Sequence, residues 1–252
     1  MIAFTIIRLH TVASTQAWVA DWAEMGAREG LVLIAREQTA GRGRLTRRWE
    51  SPPGGLYLSL LLRPDISLAQ ANRLTMLVSL AAIDACRAVA NVYPRPKWPN
   101  DLLLNGRKLA GALTELASEG ARLRHAVIGL GLNVNNDFGD GPLARTAISL
   151  RQAAGHPLDV DAVADAFLAA LARRYEAFRA GSSPHAEWAR RLEPLGRRVQ
   201  VMRPGQPTLS GRAVGVTPEG ALRVQDDAGR EHIVWAGDVV IRDPESGVKA
   251  SA

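Results

Sequence analysis

Apolar and polar positions fall along the chain in runs that predict a mixture of strands and helices. Ile2 to Leu9 reads as a first strand. In Gln16 to Arg28, Trp18, Val19, Trp22 and Met25 recur at helical spacing, and Ser14-Thr15 ahead of them offer a capping hydroxyl. Leu31 to Ala35 is a short apolar strand, and Leu56 to Leu62 reads as a buried one. Leu68 to Ala90 is a long helix, apolar at Leu74, Leu77, Val78, Ala81, Ala82 and Ala85, and Pro94-Arg95-Pro96 stops it. Asn105-Gly106 is a short hairpin signal, so Lys108 to Glu115 should return antiparallel to Leu102-Leu103-Leu104. Strict alternation in that strand puts Lys108, Ala110 and Ala112 on one face and Leu109, Gly111 and Leu113 on the other. Arg124 to Leu130 is a further strand, and Val160 to Phe178 and Pro184 to Leu192 read as helices.

The rhythm changes after about Leu195. Short β-like runs at Arg198 to Met202, Gly211 to Thr217, Ala221 to Gln225, His232 to Trp235 and Val239 to Arg242 are separated by turn residues, which predicts a small β-barrel. The expected organisation is a main domain over 1–194, a small barrel over 195–243 and a frayed tail over 244–252. The main domain reads as α+β, a mixed or antiparallel sheet with helices largely on one face. A doubly wound nucleotide fold is disfavoured because βαβ alternation breaks at Leu102 to Glu115.

The 252 residues suffice for one sizeable core and a smaller unit. A hydrophobic share of 47% against 22% charged is globular composition and argues against bulk disorder. The formal charge of +6 points to anionic partners without choosing among nucleic acid, nucleotide and acidic protein. Cys86 stands alone in the sequence, which excludes an internal disulfide and a multi-cysteine zinc site, and its apolar neighbours make it a small core residue. The N-terminus has no signal-peptide pattern, and no run of about 18 apolar residues is present, so a cytoplasmic protein without a membrane span is expected. The five histidines are scattered without metal-ligand spacing, and no Ser-His-Asp arrangement is recognisable.

Chemistry gathers in a few clusters. Gln38-Thr39-Ala40-Gly41-Arg42-Gly43-Arg44 leads on to Arg47, Arg48 and Trp49. Glycines let the backbone approach a ligand, and arginines present planar, always-charged forks for carboxylate and phosphate. The segment lacks the Lys-Ser/Thr ending of a Walker loop and the third glycine of a dinucleotide fingerprint. By itself it could also hold nucleic-acid backbone, and Trp49 could stack on a base or simply pack on the loop stem. Lys97-Trp98-Pro99-Asn100-Asp101 places an amide and a carboxylate at a strand boundary; Asn100 suits an adenine edge or a plain Asx-turn. Lys108 beside Gly111 suits a pocket-lining sheet cation or a solvated edge lysine.

Taken together and in this order, these clusters resemble the biotin–protein ligases (biotin–[acetyl-CoA-carboxylase] ligases). The resemblance is carried by Ser14-Thr15, Gln38 to Arg44 with Arg47 and Trp49, Leu56-Tyr57-Leu58-Ser59, Lys97 to Asp101, Arg107-Lys108-Leu109-Ala110-Gly111 and Gly129-Leu130-Gly131-Leu132-Asn133-Val134-Asn135. It covers about residues 12–150, with a weaker match in the small β-rich end. It implies a class II synthetase-like, biotin–lipoate ligase-like fold with an SH3-like C-terminal barrel. It implies ATP and magnesium (Mg2+) as cofactors, biotin as substrate, a biotinyl-5′-AMP intermediate, and transfer to a lysine of a carboxylase's biotin carrier protein.

By matching positions, Ser14, Thr15 and Gln38 would meet the biotin ureido ring, and Gly41, Arg42, Gly43 and Arg44 would close over its carboxylate. Lys108 would contact the adenylate, with Gly111 beside it, and Arg42, Arg44 and Lys108 would be the catalytic cations. Arg44, Arg47, Trp49, Lys97, Asn100, Lys108 and Asn133 would serve the nucleotide, with Asp101 in the surrounding shell. Two positions depart from the family: Gln16 stands where Asn is frequent, which weakens a biotin role for that side chain, and Ala147 stands where some members place an adenine-facing Trp. The few residues before Ser14 leave no room for the family's N-terminal DNA-binding unit, so the shorter ligase form with no nucleic-acid partner is expected. The resemblance makes a sheet-edge homodimer one arrangement, which no residue here demands. A lipoate or octanoate ligase or transferase of similar architecture is the alternative, and a nucleic-acid-binding module using the arginine loop is a third reading.

Overall fold

The first sheet takes β1 (Thr5–Val12), β2 (Leu31–Gln38), β3 (Leu56–Leu62), β4 (Arg95–Lys97), β5 (Asp101–Leu104), β6 (Arg107–Glu119) and β7 (Arg122–Leu132), in the order β1-β2-β3-β7-β6-β5-β4. β1 and β2 run parallel across a connection holding α1 (Thr15–Glu24), and every other neighbouring pair is antiparallel. The sheet is therefore mixed. These coordinates are a computed structural model describing residues 1–242, and the tail expected over 244–252 lies outside the described residues.

β3 shows why both faces of this sheet are covered. All of its residues are buried. Leu56, Leu58, Leu60 and Leu62 point into the larger core, with α2 (Asn72–Ala90), α3 (Leu150–Ala154), α4 (Val160–Arg179) and α5 (His185–Arg191) supplying the helical side. Leu61 points the other way, into a small core with Val19 and Ala23 of α1, Leu33 and Val127. Period-two alternation thus divides one apolar strand between two helix layers. Among the described residues, four helices lie with the larger core and α1 alone lies opposite, close to the expected layering. All six apolar positions expected to anchor the long helix are buried. A separate 3-10 turn over Leu68–Gln70 precedes it, and Asn91 ends it in the left-handed region.

Several expected boundaries shift. The first strand begins at Thr5 rather than Ile2, because its extent follows the pairing from Thr5↔Leu31 to Val12↔Gln38. The first helix ends at Glu24, not Arg28, and Gly26 follows it with φ +89°. Its buried side is Thr15, Gln16, Val19 and Ala23, whereas Trp18 and Met25 are exposed. Ser14 sits at the N-cap, yet its hydroxyl makes no capping bond.

β6 departs from simple alternation. Leu102 pairs with Ala110 but Leu103 pairs with Lys108, so Leu109 is bulged. The extra residue changes the phase of the strand. Ala110 and Ala112 enter the core, and Lys108 is instead brought to the same side as Gly111. The Asn105-Gly106 turn forms as expected, with both residues at positive φ and Leu104 opposite Arg107.

The second sheet, β8 (Arg198–Arg203), β9 (Gln206–Val216), β10 (Leu222–Gln225), β11 (Glu231–Val234) and β12 (Asp238–Arg242), is antiparallel in the order β11-β10-β9-β8-β12. The expected five strands are present, consistent with an SH3-like unit, but no pairing among the described residues closes them into a barrel.

Candidate functional site

A cavity of about 320 Å³ opens over β3, β5, β6 and β7 on the α1 side of the sheet. Part of its floor faces away from the larger core. Ser59 comes from β3, between Leu58 and Leu60, and the glycines at 129 and 131 come from β7. No other residue fits those glycine positions without movement: a Cβ at Gly129 would lie 2.6 Å from Gln16 Oε1, and one at Gly131 would lie 2.4 Å from Trp49 Cε2.

One end of the cavity is polar and uncharged. The Thr15 amide and hydroxyl both donate to Gln38 Oε1, at 2.9 and 3.1 Å, and the Thr15 and Ser59 hydroxyls lie 2.9 Å apart. Gln16 Nε2 donates to Val127 O at 2.9 Å, and its Oε1 accepts from Ser59 at 3.1 Å. Gln38 Nε2 donates to Ser51 Oγ at 2.9 Å. The network sets these side chains in place before any ligand arrives. Ser14 Oγ is the exception: it is buried at this end with no hydrogen-bond partner.

The other end is cationic. Arg42, Arg44, Arg47, Arg48, Lys97 and Lys108 line the cavity, against the carboxylates of Asp101 and Asp238. Lys108 Nζ is 2.8 Å from Asp101 Oδ1 and 5.0 Å from the centre of the Trp49 ring. Arg42 pairs with Glu115 at 2.7 Å, which ties the loop to β6. Arg44 donates to Asn100 Oδ1 at 3.3 Å and to Gly237 O at 3.2 Å. Burial lowers the pKa of Arg44, with Asp238 and Asp101 opposing that shift. Burial also lowers the pKa of Lys97, Asp101 opposing it and Lys108 reinforcing it. Lys97 has no ion pair among the described residues, so an incoming anion would relieve it.

The glycine-arginine segment closes on itself. Arg42 bridges to Arg48, Trp49 N donates to Gly41 O at 2.9 Å, and Gly43 N donates to Arg47 O at 2.7 Å. A Cβ at Gly41 would fall 2.4 Å from Trp49 O, so this closure requires glycine there. Leu45 and Thr46, at the tip, both have positive φ.

Trp49 and Lys108 also line a second cavity, together with Asn133, Asn136, Phe138 and Ala147. The two cavities therefore meet along Gln38, Arg48, Trp49 and Lys108. Asn133 Nδ2 donates to Lys108 O at 3.3 Å and to Ile148 O at 3.1 Å, stapling β6 to the segment before α3. Asn100 lies in the first cavity and is absent from the lining of the second. The adenine-side pairing of Asn100 with Asn133, implied by resemblance, is thus split between two cavities. Cys86 is fully buried and burial pushes its thiol up to about 12, in keeping with a core residue.

The sequence named about half of the lining and missed Ser59, Gly129, Gly131 and Asp238 in it, as well as Glu115, the partner of Arg42. Ser59 and the two glycines lay within segments carrying the resemblance. Asp238 and its neighbours Val239 and Val240 carried no local signal, since they reach the cavity from the second sheet.

The model of the biotin/lipoate A/B protein ligase family matches residues 10–133, and that of the biotin protein ligase C-terminal domain matches 195–242. The bifunctional ligase/repressor BirA of Bacillus subtilis (strain 168) is 38% identical over 237 residues, 92% of this chain and 72% of that protein. The biotin–[acetyl-CoA-carboxylase] ligase of Mycobacterium tuberculosis is 34% identical over 244 residues, 92% of this chain and 88% of its own length. Among solved structures, the Aquifex aeolicus biotin protein ligase in complex with biotin and ATP superposes with a TM-score of 0.81 at 27% identity, covering 94% of this chain and 98% of that one. The relatives are biotin ligases and do not support the lipoate alternative. With such likeness across both sheets, the chain belongs to the biotin protein ligase family.

Proposed function

We propose that this enzyme activates biotin with ATP, forming biotinyl-5′-AMP and pyrophosphate, and then transfers the biotinyl group to a specific lysine of a carboxylase's biotin carrier protein. The observation that carries the reading is the gradient along the first cavity. A preset polar, uncharged end built from Thr15, Gln16, Gln38 and Ser59 leads to a cationic end at Arg42, Arg44 and Lys108, where a second cavity joins. A neutral ureido ring fits the first end, the Ser14 hydroxyl supplying a free hydrogen-bonding group. The biotin carboxylate then falls at Lys108, and the nucleoside in the second cavity, beside Trp49 and Asn133.

The chemistry follows from charge. Two unit like charges at 4 Å repel by about 4 kcal/mol at the effective dielectric of a protein surface. Lys108 and the loop arginines offset that repulsion, so a carboxylate oxygen can reach the α-phosphorus in line. The bond from that phosphorus to the bridging oxygen breaks, and pyrophosphate leaves past Arg44 and Arg47. In the second step the carrier lysine's amine attacks the biotinyl carbonyl and AMP departs. No covalent enzyme nucleophile is required.

Magnesium would accompany the triphosphate and neutralise phosphate charge there. The donor set fits an ion held mainly by phosphate oxygens: Asp101 and Asp238 each already face a cation, and no cluster of three metal-binding side chains occurs among the described residues.

The test is incubation of the purified protein with biotin, ATP and magnesium, read by mass for biotinyl-adenylate and by pyrophosphate release, with lipoate and octanoate in parallel. Biotinyl-adenylate, and ATP-dependent labelling of a carrier domain, are expected. An adenylate formed from another acid but not from biotin would overturn the reading.

A further inference from the structure

Asp238 opens β12, in the second sheet, yet its carboxylate reaches the arginine segment of the first. Oδ1 lies 3.5 Å from Arg44 Nη1, and Oδ2 is hydrogen-bonded to Arg47. The preceding residue reinforces the contact, since Gly237 O accepts from Arg44 Nη2 at 3.2 Å. That turn is held close against β8: a Cβ at Gly237 would lie 2.8 Å from Met202 O. Arg47 is 63% exposed, and Asp238 is its sole side-chain partner among the described residues. Lys97 also feels this carboxylate, and Lys108, engaged with Asp101, lines the same cavity.

We propose that Asp238 is a positioning residue of the adenylation step: as an internal anion it holds Arg44 and Arg47 at the cavity until the triphosphate displaces it. This rests on the adenylating reading above and adds a role for the second sheet. The physical argument is one of exchange. A lone arginine-rich segment would be driven outward by its own repulsion, and a carboxylate keeps its forks aimed at the cavity. A phosphate chain carries more charge and more acceptor oxygens than one carboxylate, so it wins both guanidinium groups when it arrives. The internal anion therefore lowers affinity for the nucleotide while keeping its receptors in place.

The experiment measures inorganic pyrophosphate binding to the biotin-free protein by calorimetry at low ionic strength, alongside the KM for ATP. Asp238→Asn should tighten pyrophosphate binding by about five-fold, the size expected for a partly exposed ion pair, and lower the KM for ATP in parallel, while kcat falls because Arg44 and Arg47 are no longer held in aim. The gain should shrink as salt is raised. Asp238→Glu should retain wild-type behaviour. In an Arg47→Gln background, Asp238→Asn should lose most of its effect. Unchanged or weaker pyrophosphate binding in a folded Asp238→Asn protein, or an equal gain in the Arg47→Gln background, would overturn the proposal. The calorimetry contains no biotin, so failure of the biotin reading would show separately, as absence of biotinyl-adenylate from the wild type.

Discussion

Gly131→Ala tests how the two cavities are joined. A Cβ at this position would lie 2.4 Å from Trp49 Cε2 and 2.6 Å from Nε1, where ordinary contact begins near 3.4 Å. The indole must give way by about 1 Å. Overpacking of this kind costs about 1–3 kcal/mol. The ring belongs to a loop rather than to the core, so the cost should fall on loop closure and on the Lys108–Trp49 contact, worth about 0.5–1 kcal/mol. The KM for ATP should therefore rise about tenfold, since each 1.4 kcal/mol is a factor of about ten, with little change in Tm. Steady-state pyrophosphate release at varied ATP reads the first quantity and thermal denaturation the second. Trp49→Ala removes the ring that the methyl group strikes, so adding Gly131→Ala to it should have almost no further effect. If the two substitutions raise the KM independently, or if Gly131→Ala alone leaves it unchanged, the wedging argument is wrong.

Lys108→Ala should slow adenylate formation by about 10²- to 10³-fold, the usual loss for one preorganised charge-stabilising group, and a normal rate of pyrophosphate release would contradict its role. Arg42→Ala frees the loop from Glu115 and should let biotinyl-adenylate escape, read as indiscriminate lysine labelling; carrier specificity equal to wild type would count against this. His125 is buried on β7, 3.5 Å from the Glu24 carboxylate, and burial together with Arg63 and Arg124 lowers its pKa, Glu24 opposing. Its contribution to stability should thus be present above the ordinary histidine value of 6.5 and be lost as pH falls below it. Denaturant midpoints between pH 7 and 5 should show that slope in the wild type and a shallower one in His125→Gln.

Much of the architecture was legible because its signals are local. Seven consecutive residues of β3 read as one buried strand, and Asn105-Gly106 supplied the two positive φ values of its turn. The glycine-arginine segment was legible as a cationic loop for the same reason, since its chemistry lies in adjacent residues. The bulge at Leu109 was not legible: alternation assigned Lys108 to the face of Ala110 and Ala112, and only the pairing with β5 turned it toward Gly111. The unused cap was hidden too. Ser14 has the right side chain at the right position, but burial leaves its hydroxyl at the cavity without a partner.

Residue order alone carried the strands, the helices, the cationic loop and the likeness to a ligase family, because each depends on neighbours within a turn or a hairpin. Tertiary packing decided which charges meet. Arg47 and Asp238 stand 191 residues apart, and Gln16 reaches across 111 residues to the β7 backbone. No periodicity specifies such pairs. They exist because apolar burial, which is non-directional, holds α1 in the smaller core and the second sheet in the larger one, and polar side chains then find partners wherever that burial has left them.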